Sequence, residues 1–167
     1  MLAHNVEIRT ARFEDLEQII EINRRSLPEN YSYDYFVYHL RDFGDLFLVA
    51  SIKENDKEKI VGYVMNRIEI GLSNFGFSLT KKGHVISIAV LEEYRRLGIG
   101  FSLMKHTIER FKKYNISEVY LEVRVTNYPA INLYKKLNFE IVKVTPNYYS
   151  DGEDAYIMSL RLKEAKK

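Results

Sequence analysis

The sequence predicts an α/β protein with one mixed seven-stranded sheet and four helices distributed over both of its faces. Three observations predict it. Apolar residues alternate or run together in seven short segments, and they recur at three and four in four longer ones. The segments follow one another as β-α-α-β-β-β-α-β-α-β-β, without repeat, linker or low-complexity stretch. The 167 residues suit a single domain, large enough to bury a core without a disulfide or metal staple.

Each element has its own signal. Val6–Ile8 reads as a short strand. Phe13 opens a helix in which Leu16, Ile19, Ile20 and Ile22 or Asn23 recur at helical spacing. Glu14, Asp15 and Glu17 suit the dipole of its first turn, and Pro28 closes it. Tyr33–Leu40 reads as a second helix with Tyr35, Phe36 and Leu40 inward. Leu46–Ile52 and Ile60–Ile70 read as antiparallel strands joined by the charged turn Lys53–Lys59. Gly71–Gly83 reads as a loop, and Val85–Val90 as a buried central strand.

Gly98–Tyr114 is predicted helical, with Leu103, Thr107, Ile108 and Phe111 on one face. Val119–Val123 alternates as a strand, and Ala130–Leu137 is a helix started near Asn127 and Pro129. Phe139–Val144 and Ala155–Leu162 are strands joined through Ser150-Asp151-Gly152. One domain over 1–167 is expected, with a core of about 6–162 and a basic tail, Lys163–Lys167.

Composition excludes several chemistries. The absence of cysteine removes a disulfide framework, a thiolate zinc site and a cysteine nucleophile. With 25 basic and 23 acidic residues, the formal charge of +2 produces no strong field for nucleic acid or membrane. No apolar run approaches the ~20 residues of a membrane span, and Met1–Ile8 is too short and mixed for a signal peptide. A cytoplasmic protein is the expectation, with neither nucleic acid nor membrane as partner.

The most informative segment is Ile88-Ala89-Val90-Leu91-Glu92-Glu93-Tyr94-Arg95-Arg96-Leu97-Gly98-Ile99-Gly100. A buried strand enters a short loop, Arg95-x-x-Gly98-x-Gly100, and the loop opens a long helix. A helix N-terminus offers unpaired N–H groups and about half a positive charge. The glycines admit oxygen atoms close to the backbone, and Arg95 and Arg96 add charge. Such a loop suits a pyrophosphate, although a tight strand-to-helix turn alone has the same residues. It has no Gly-Lys-Ser/Thr and is not a phosphate loop of the Walker type.

This segment resembles the acetyl-CoA signature of the GNAT acetyltransferase superfamily, Arg/Gln-x-x-Gly-x-Gly/Ala. Asn127 to Glu140, with Asn127 and Tyr134, resembles the second block of that family, where an asparagine contacts the pantetheine arm and a tyrosine sits near the thioester sulfur. Leu27-Pro28-Glu29-Asn30-Tyr31, Tyr120-Leu121-Glu122-Val123-Arg124 and Tyr148 to Tyr156 resemble the N-terminal acetyltransferases. The likeness is to the NatA catalytic subunit and, more closely, to its archaeal counterparts, over about Val6 to Leu162. It implies a GNAT fold, with a largely antiparallel sheet whose fourth and fifth strands splay apart. Phe101 stands where many relatives carry a small residue; the backbone donors are unaffected, but the packing differs.

The resemblance also implies roles. Ile88, Ala89 and Val90 would offer main-chain groups to pantetheine and acetyl, with the Val90 N–H facing the oxyanion. Arg95 and the segment Arg96, Leu97, Gly98, Ile99, Gly100 and Phe101 would hold the pyrophosphate, Asn127 the pantetheine, and Tyr134 would protonate or solvate the leaving sulfur. His84 and Glu122 match paired base positions, acting through an ordered water. Glu122 shares a strand face with Tyr120 and Arg124. A histidine and a glutamate alone make a weak metal site, and no metal is expected. Glu29, Tyr31 and Tyr149 would line the peptide groove, and Arg124 would brace it. Acetyl-CoA is the implied co-substrate, and the implied partners are protein or nascent-peptide N-termini, with the ribosome or an auxiliary subunit as further candidates; a monomer is expected. Lysine side chains and small-molecule amines are the alternative acceptors.

Overall fold

The structure, a computed structural model, describes residues 5–162. The elements are β1 (Glu7–Thr10), α1 (Leu16–Ser26), α2 (Tyr33–Asp42), β2 (Phe47–Glu54), β3 (Lys57–Leu72), β4 (Leu79–Val90), α3 (Ile99–Lys112), β5 (Glu118–Arg124), α4 (Tyr128–Lys136), β6 (Glu140–Thr145) and β7 (Ala155–Arg161). This is the predicted order. The strands form one sheet, β1-β2-β3-β4-β5-β7-β6. The pairs β1/β2, β2/β3, β5/β7 and β6/β7 are antiparallel, whereas β4/β5 is parallel. That parallel ladder joins Lys82–His84 to Glu118–Tyr120 and ends there, while β4 continues to Val90 and β5 to Arg124. No helix among the described residues is long and apolar enough to cross a membrane. The expected basic tail, Lys163–Lys167, lies outside the described residues.

The chain divides into two compact units, and β3, β4 and α3 contribute to both. The first comprises residues up to Arg67 together with Ile86–Arg110. Its helices lie on opposite faces of β3. Gly62 faces α3: a Cβ there would meet Leu103 at 3.4 Å and the Ala89 carbonyl at 3.2 Å. Asn66, on the same face by strand alternation, donates to Thr107 of α3 at 3.2 Å. Tyr63 points the other way, its ring edge against Phe36 of α2 and its hydroxyl against Asn23 of α1. Phe36, Phe47, Tyr63 and Leu103 are fully buried and make this unit's core.

Local rules explain the helix ends. Leu27 precedes Pro28 and is extended (φ −131°, ψ 143°), which stops α1. Ser32 caps α2 by accepting the Tyr35 amide at 3.2 Å, and Asn127 caps α4 by accepting the Ala130 amide at 3.3 Å. Asp15 accepts the Arg12 amide at 2.7 Å and two bonds from Arg9, which also reaches Glu58. On α2 the buried residues are Phe36 and His39; Tyr35 and Leu40, expected inward, are only half-buried.

Among the described residues the second unit comprises Ile68–Val85 and residues 111–162. In β5, Val119, Leu121 and Val123 are buried and alternate with the partly accessible Tyr120, Glu122 and Arg124. Two connections depart from expectation. Gly71–Gly83 is not a loop: β3 runs to Leu72 and β4 starts at Leu79, leaving a short connection closed by Ser73 N–H to Ser78 C=O at 2.9 Å. Buried Glu118 holds it, accepting Ser73 Oγ at 2.9 Å and Asn74 N–H at 3.0 Å. The broad Lys53–Lys59 turn, in the first unit, is likewise a two-residue hairpin turn, with Asn55 and Asp56 at positive φ between paired Glu54 and Lys57.

Candidate active site

In the first unit, β4 leads into the Arg–Gly loop. The Leu91 amide donates to the Val61 carbonyl of β3 at 2.9 Å, which anchors the strand end. Arg95 curls back and donates its Nε to the Val90 carbonyl at 2.9 Å, so it braces the turn as well as charging it. Arg96 (φ 65°) and Gly98 (φ 81°) both lie in the left-handed region. For glycine this is free; for arginine it costs about 1 kcal/mol. Gly98 accepts the Ser102 amide at 3.0 Å, so the amides of Ile99, Gly100 and Phe101 head the helix with no intrahelical acceptor. Buried Ile99 anchors that end, while Arg95, Arg96, Leu97 and Gly98 are exposed. The result is an exposed, cationic anion cradle. Upstream, Ala89 is buried and Ile88 and Val90 are half-buried.

The same unit holds the segment before α2 in place. Asn23 donates to the Glu29 carbonyl at 3.1 Å and accepts the Tyr31 amide at 3.4 Å. Tyr31 donates its hydroxyl to the Ile86 carbonyl at 3.3 Å and stacks on Tyr35, with ring centroids 4.7 Å apart. Asn23 also donates to Tyr63, whose hydroxyl lies 2.6 Å from Ser87 Oγ.

The second unit brings together His84 and Glu122. His84 Nε2 lies 2.8 Å from Glu122 Oε2, in direct contact. Its Nδ1 lies 2.9 Å from Glu69 Oε2, and Tyr120 donates its hydroxyl to Glu69 Oε1 at 2.5 Å. The Tyr120 ring stacks on the imidazole at 4.1 Å and 18°. Lys82 Nζ lies 4.3 Å from the same ring's centroid. Only 8% of His84 is exposed, so these contacts act with little competition from solvent.

Tyr134 is buried on α4, and burial pushes its phenol up to about 12. Arg124 bonds Asp151 at 2.8 Å and lies over the Tyr149 ring at 4.0 Å, which braces the β6–β7 connection as expected. The Glu153 amide and Arg124 hold the Asp151 carboxyl below its usual range. That connection also departs from a tight hairpin: it spans residues 146–154, with Gly152 at φ 89°.

The strand, the glycine turn and the helix that presents amides beside two arginines lie within the segment that a family pattern matches. The Acetyltransferase (GNAT) family pattern matches residues 16–139. The chain belongs to this family. It is 54% identical over 161 residues to an N-alpha-acetyltransferase of Sulfolobus acidocaldarius, covering 95% of this chain and 94% of the relative. Among solved structures, Ard1 from Thermoplasma volcanium superposes with a TM-score of 0.81 at 31% identity, over 95% of this chain and 99% of that one. Arabidopsis thaliana Naa50 in complex with the bisubstrate analogue CoA-Ac-MVNAL superposes with a TM-score of 0.80 at 29% identity, over 95% and 99%.

Sequence reasoning missed several residues that shape this acetyltransferase's candidate site. Glu69 was hidden because nothing around residue 69 in the expected strand Ile60–Ile70 marks a carboxylate whose partners, His84 and Tyr120, are distant in the chain. Asn23 stood only as a candidate for the inward face of the first helix, and Tyr63 as one position of an expected strand. A polar side chain inside an otherwise apolar face was the available signal, since buried polar groups need partners.

Proposed function

We infer that this acetyltransferase acts on N-terminal α-amines, transferring acetyl from acetyl-CoA to peptides and proteins. Kinship over nearly the whole chain to N-alpha-acetyltransferases carries this reading. The direct His84–Glu122 contact supports it chemically.

The neutral amine nitrogen attacks the thioester carbonyl, the C–N bond forms, the C–S bond breaks, and the further proton shed by the nitrogen ends on the departing sulfur, giving the amide and free CoA thiol. An α-amine has a pKa near 7.7–8.0 and a lysine amine near 10.4. At neutral pH roughly a tenth of α-amines are already neutral, against under about a thousandth of lysines. A modest base therefore suffices, and we assign it to His84 and Glu122. The amides of Arg96 to Phe101, with Arg95 and Arg96, hold the diphosphate of CoA, and Asn127 holds the pantetheine. Main-chain groups of Ile88, Ala89 and Val90 position the acetyl group, with the Val90 amide facing the oxyanion.

Tyr134 meets the leaving sulfur. A thiol titrates near about 8.5, far below a phenol at about 12, so a thiolate does not strip the phenol of its proton. Tyr134 therefore acts as a hydrogen-bond donor to the thiolate. Glu29, Tyr31 and Tyr149 bind the peptide. We take the chain to act as a single monomeric domain in the cytoplasm, on finished or nascent chains at the ribosome, and without an obligatory auxiliary subunit. The family match supports the single domain, because it draws on residues of both units.

The test is acetylation of a short Ser-starting peptide by the wild type, by the double variant His84→Ala plus Glu122→Ala, and by Glu29→Ala. The double variant should lose roughly 10²-fold or more in kcat. Glu29→Ala should raise the peptide KM. An unchanged rate in the double variant removes both residues from the base role.

A further inference from the structure

We propose that Glu69 is the positioning residue of the proton acceptor, holding the proton of His84 on Nδ1 so that Nε2 is the nitrogen that takes up the substrate proton. This rests on the reading of His84 and Glu122 as the base. The argument is a count of protons. An ionised carboxylate only accepts hydrogen bonds, and a neutral imidazole has one N–H to donate. His84 faces a carboxylate at each nitrogen, Glu69 at 2.9 Å and Glu122 at 2.8 Å. Both contacts are hydrogen bonds only when the trio carries one proton beyond a neutral histidine and two carboxylates. The proton-loaded state is the one that satisfies both contacts at once.

When that proton leaves, one contact becomes acceptor against acceptor and must open. The surroundings decide which. Glu69 is held from its other oxygen by the Tyr120 hydroxyl, and Tyr120 is stacked under the imidazole, so carboxylate, phenol and imidazole form one rigid unit. Lys82, 4.3 Å from the centroid of the Tyr120 ring, packs against the same phenol. The Nδ1–H···Glu69 bond persists, and the Nε2···Glu122 contact is the one that empties and refills. In the reaction the substrate ammonium gives one proton to Nε2, leaving a neutral amine and an imidazolium between two carboxylates. The proton returns to solvent after the product leaves. Glu69 touches no substrate in this scheme; it sets the tautomer.

The charged and titratable groups seen against the imidazole are Glu69 from β3 and Tyr120 and Glu122 from β5, while Lys82 from β4 lies against the Tyr120 ring. Two experiments test the assignment. In ¹⁵N-histidine protein, the ring signals of His84 are identified by their loss in His84→Gln. At alkaline pH the wild type should show Nδ1–H with a bare Nε2, the tautomer a free imidazole disfavours. A wild-type Nε2–H signal overturns the proposal and needs no variant.

In Glu69→Gln and Tyr120→Phe, kcat should fall, by roughly 10–100-fold for the first and less for the second. The KM for acetyl-CoA should stay within about twofold, and in Glu69→Gln the acid limb of the rate profile should move. A Glu69→Gln enzyme that keeps kcat, profile and tautomer, while only melting earlier, has lost structure alone and overturns the inference. If it does so while His84→Ala is crippled, the base assignment survives without Glu69. If His84→Ala plus Glu122→Ala is fully active, both fall.

Discussion

The Asn23 side-chain amide donates to the Tyr63 hydroxyl across 3.1 Å and to the Glu29 carbonyl across the same distance. A buried residue of α1 thereby links a core tyrosine to the segment proposed to bind peptide. Asn23→Ala should destabilise the protein by about 1–3 kcal/mol, because Tyr63 and the loop each lose a buried partner. It should also raise the peptide KM and leave the acetyl-CoA KM unchanged. Urea unfolding and steady-state kinetics on one preparation check both. A stability loss with unchanged peptide KM detaches Asn23 from peptide binding.

Gly83 is a packing glycine, and its substitution is a steric test. A Cβ there would fall 2.7 Å from two ring carbons of Phe111. Phe111 is fully buried and its ring has little room to retreat. Gly83→Ala should cost about 1–3 kcal/mol, read as a lowered urea midpoint at unchanged slope. Gly44, around which a Cβ meets nothing within 4 Å, is the control and should tolerate alanine.

The short β3–β4 connection depends on a buried carboxylate. Glu118 is 2% exposed, accepts Ser73 and Asn74, and lies 3.9 Å from Lys82. Glu118→Ala removes the acceptor of those donors and the carboxylate facing a largely buried lysine, which keeps only the Leu72 carbonyl and the Tyr120 ring, and should destabilise by about 3–5 kcal/mol. Ser73→Ala removes one neutral donor and should cost about 1 kcal/mol. Equal effects in the two variants contradict the argument.

Both the legible and the hidden parts of the site follow from the reach of local signals. The order of elements was readable because period-two and period-3.6 patterns are local. The Arg95–Gly100 turn stood out because a short motif carries it, whereas His84 and Glu122 were singled out by resemblance, and the structure brings those two side chains into contact. Gly71–Gly83 misled because its glycines and serines read as loop, whereas the short connection between β3 and β4 is held by Glu118, far along the chain. Glu69 escaped for the same reason. Its importance lies in two partners, His84 and Tyr120, that no spacing around residue 69 announces.

Alkaline pH should weaken the fold through two phenols. Burial pushes Tyr63 and Tyr134 from about 10 up to about 12. A raised folded value means that the folded state keeps a proton the unfolded chain loses. The stability from these groups is complete below about pH 10 and is lost as pH rises toward about 12. Urea midpoints measured across that range should fall, and the fall should be shallower in Tyr134→Phe. The same variant should lose kcat at neutral pH, because the donor to the leaving thiolate is gone. A Tyr134→Phe enzyme with full kcat takes that tyrosine out of the reaction.

The central claim is that the acceptor is an N-terminal α-amine. Two peptides of one sequence decide it, the first with a free N-terminus, the second N-blocked and carrying a free lysine. Each is incubated with the purified protein and acetyl-CoA, and the products are located by fragment mass spectrometry. The account predicts one acetyl group on the α-amine of the first peptide and none above background on the second. Acetylation of the lysine peptide at a comparable rate contradicts it.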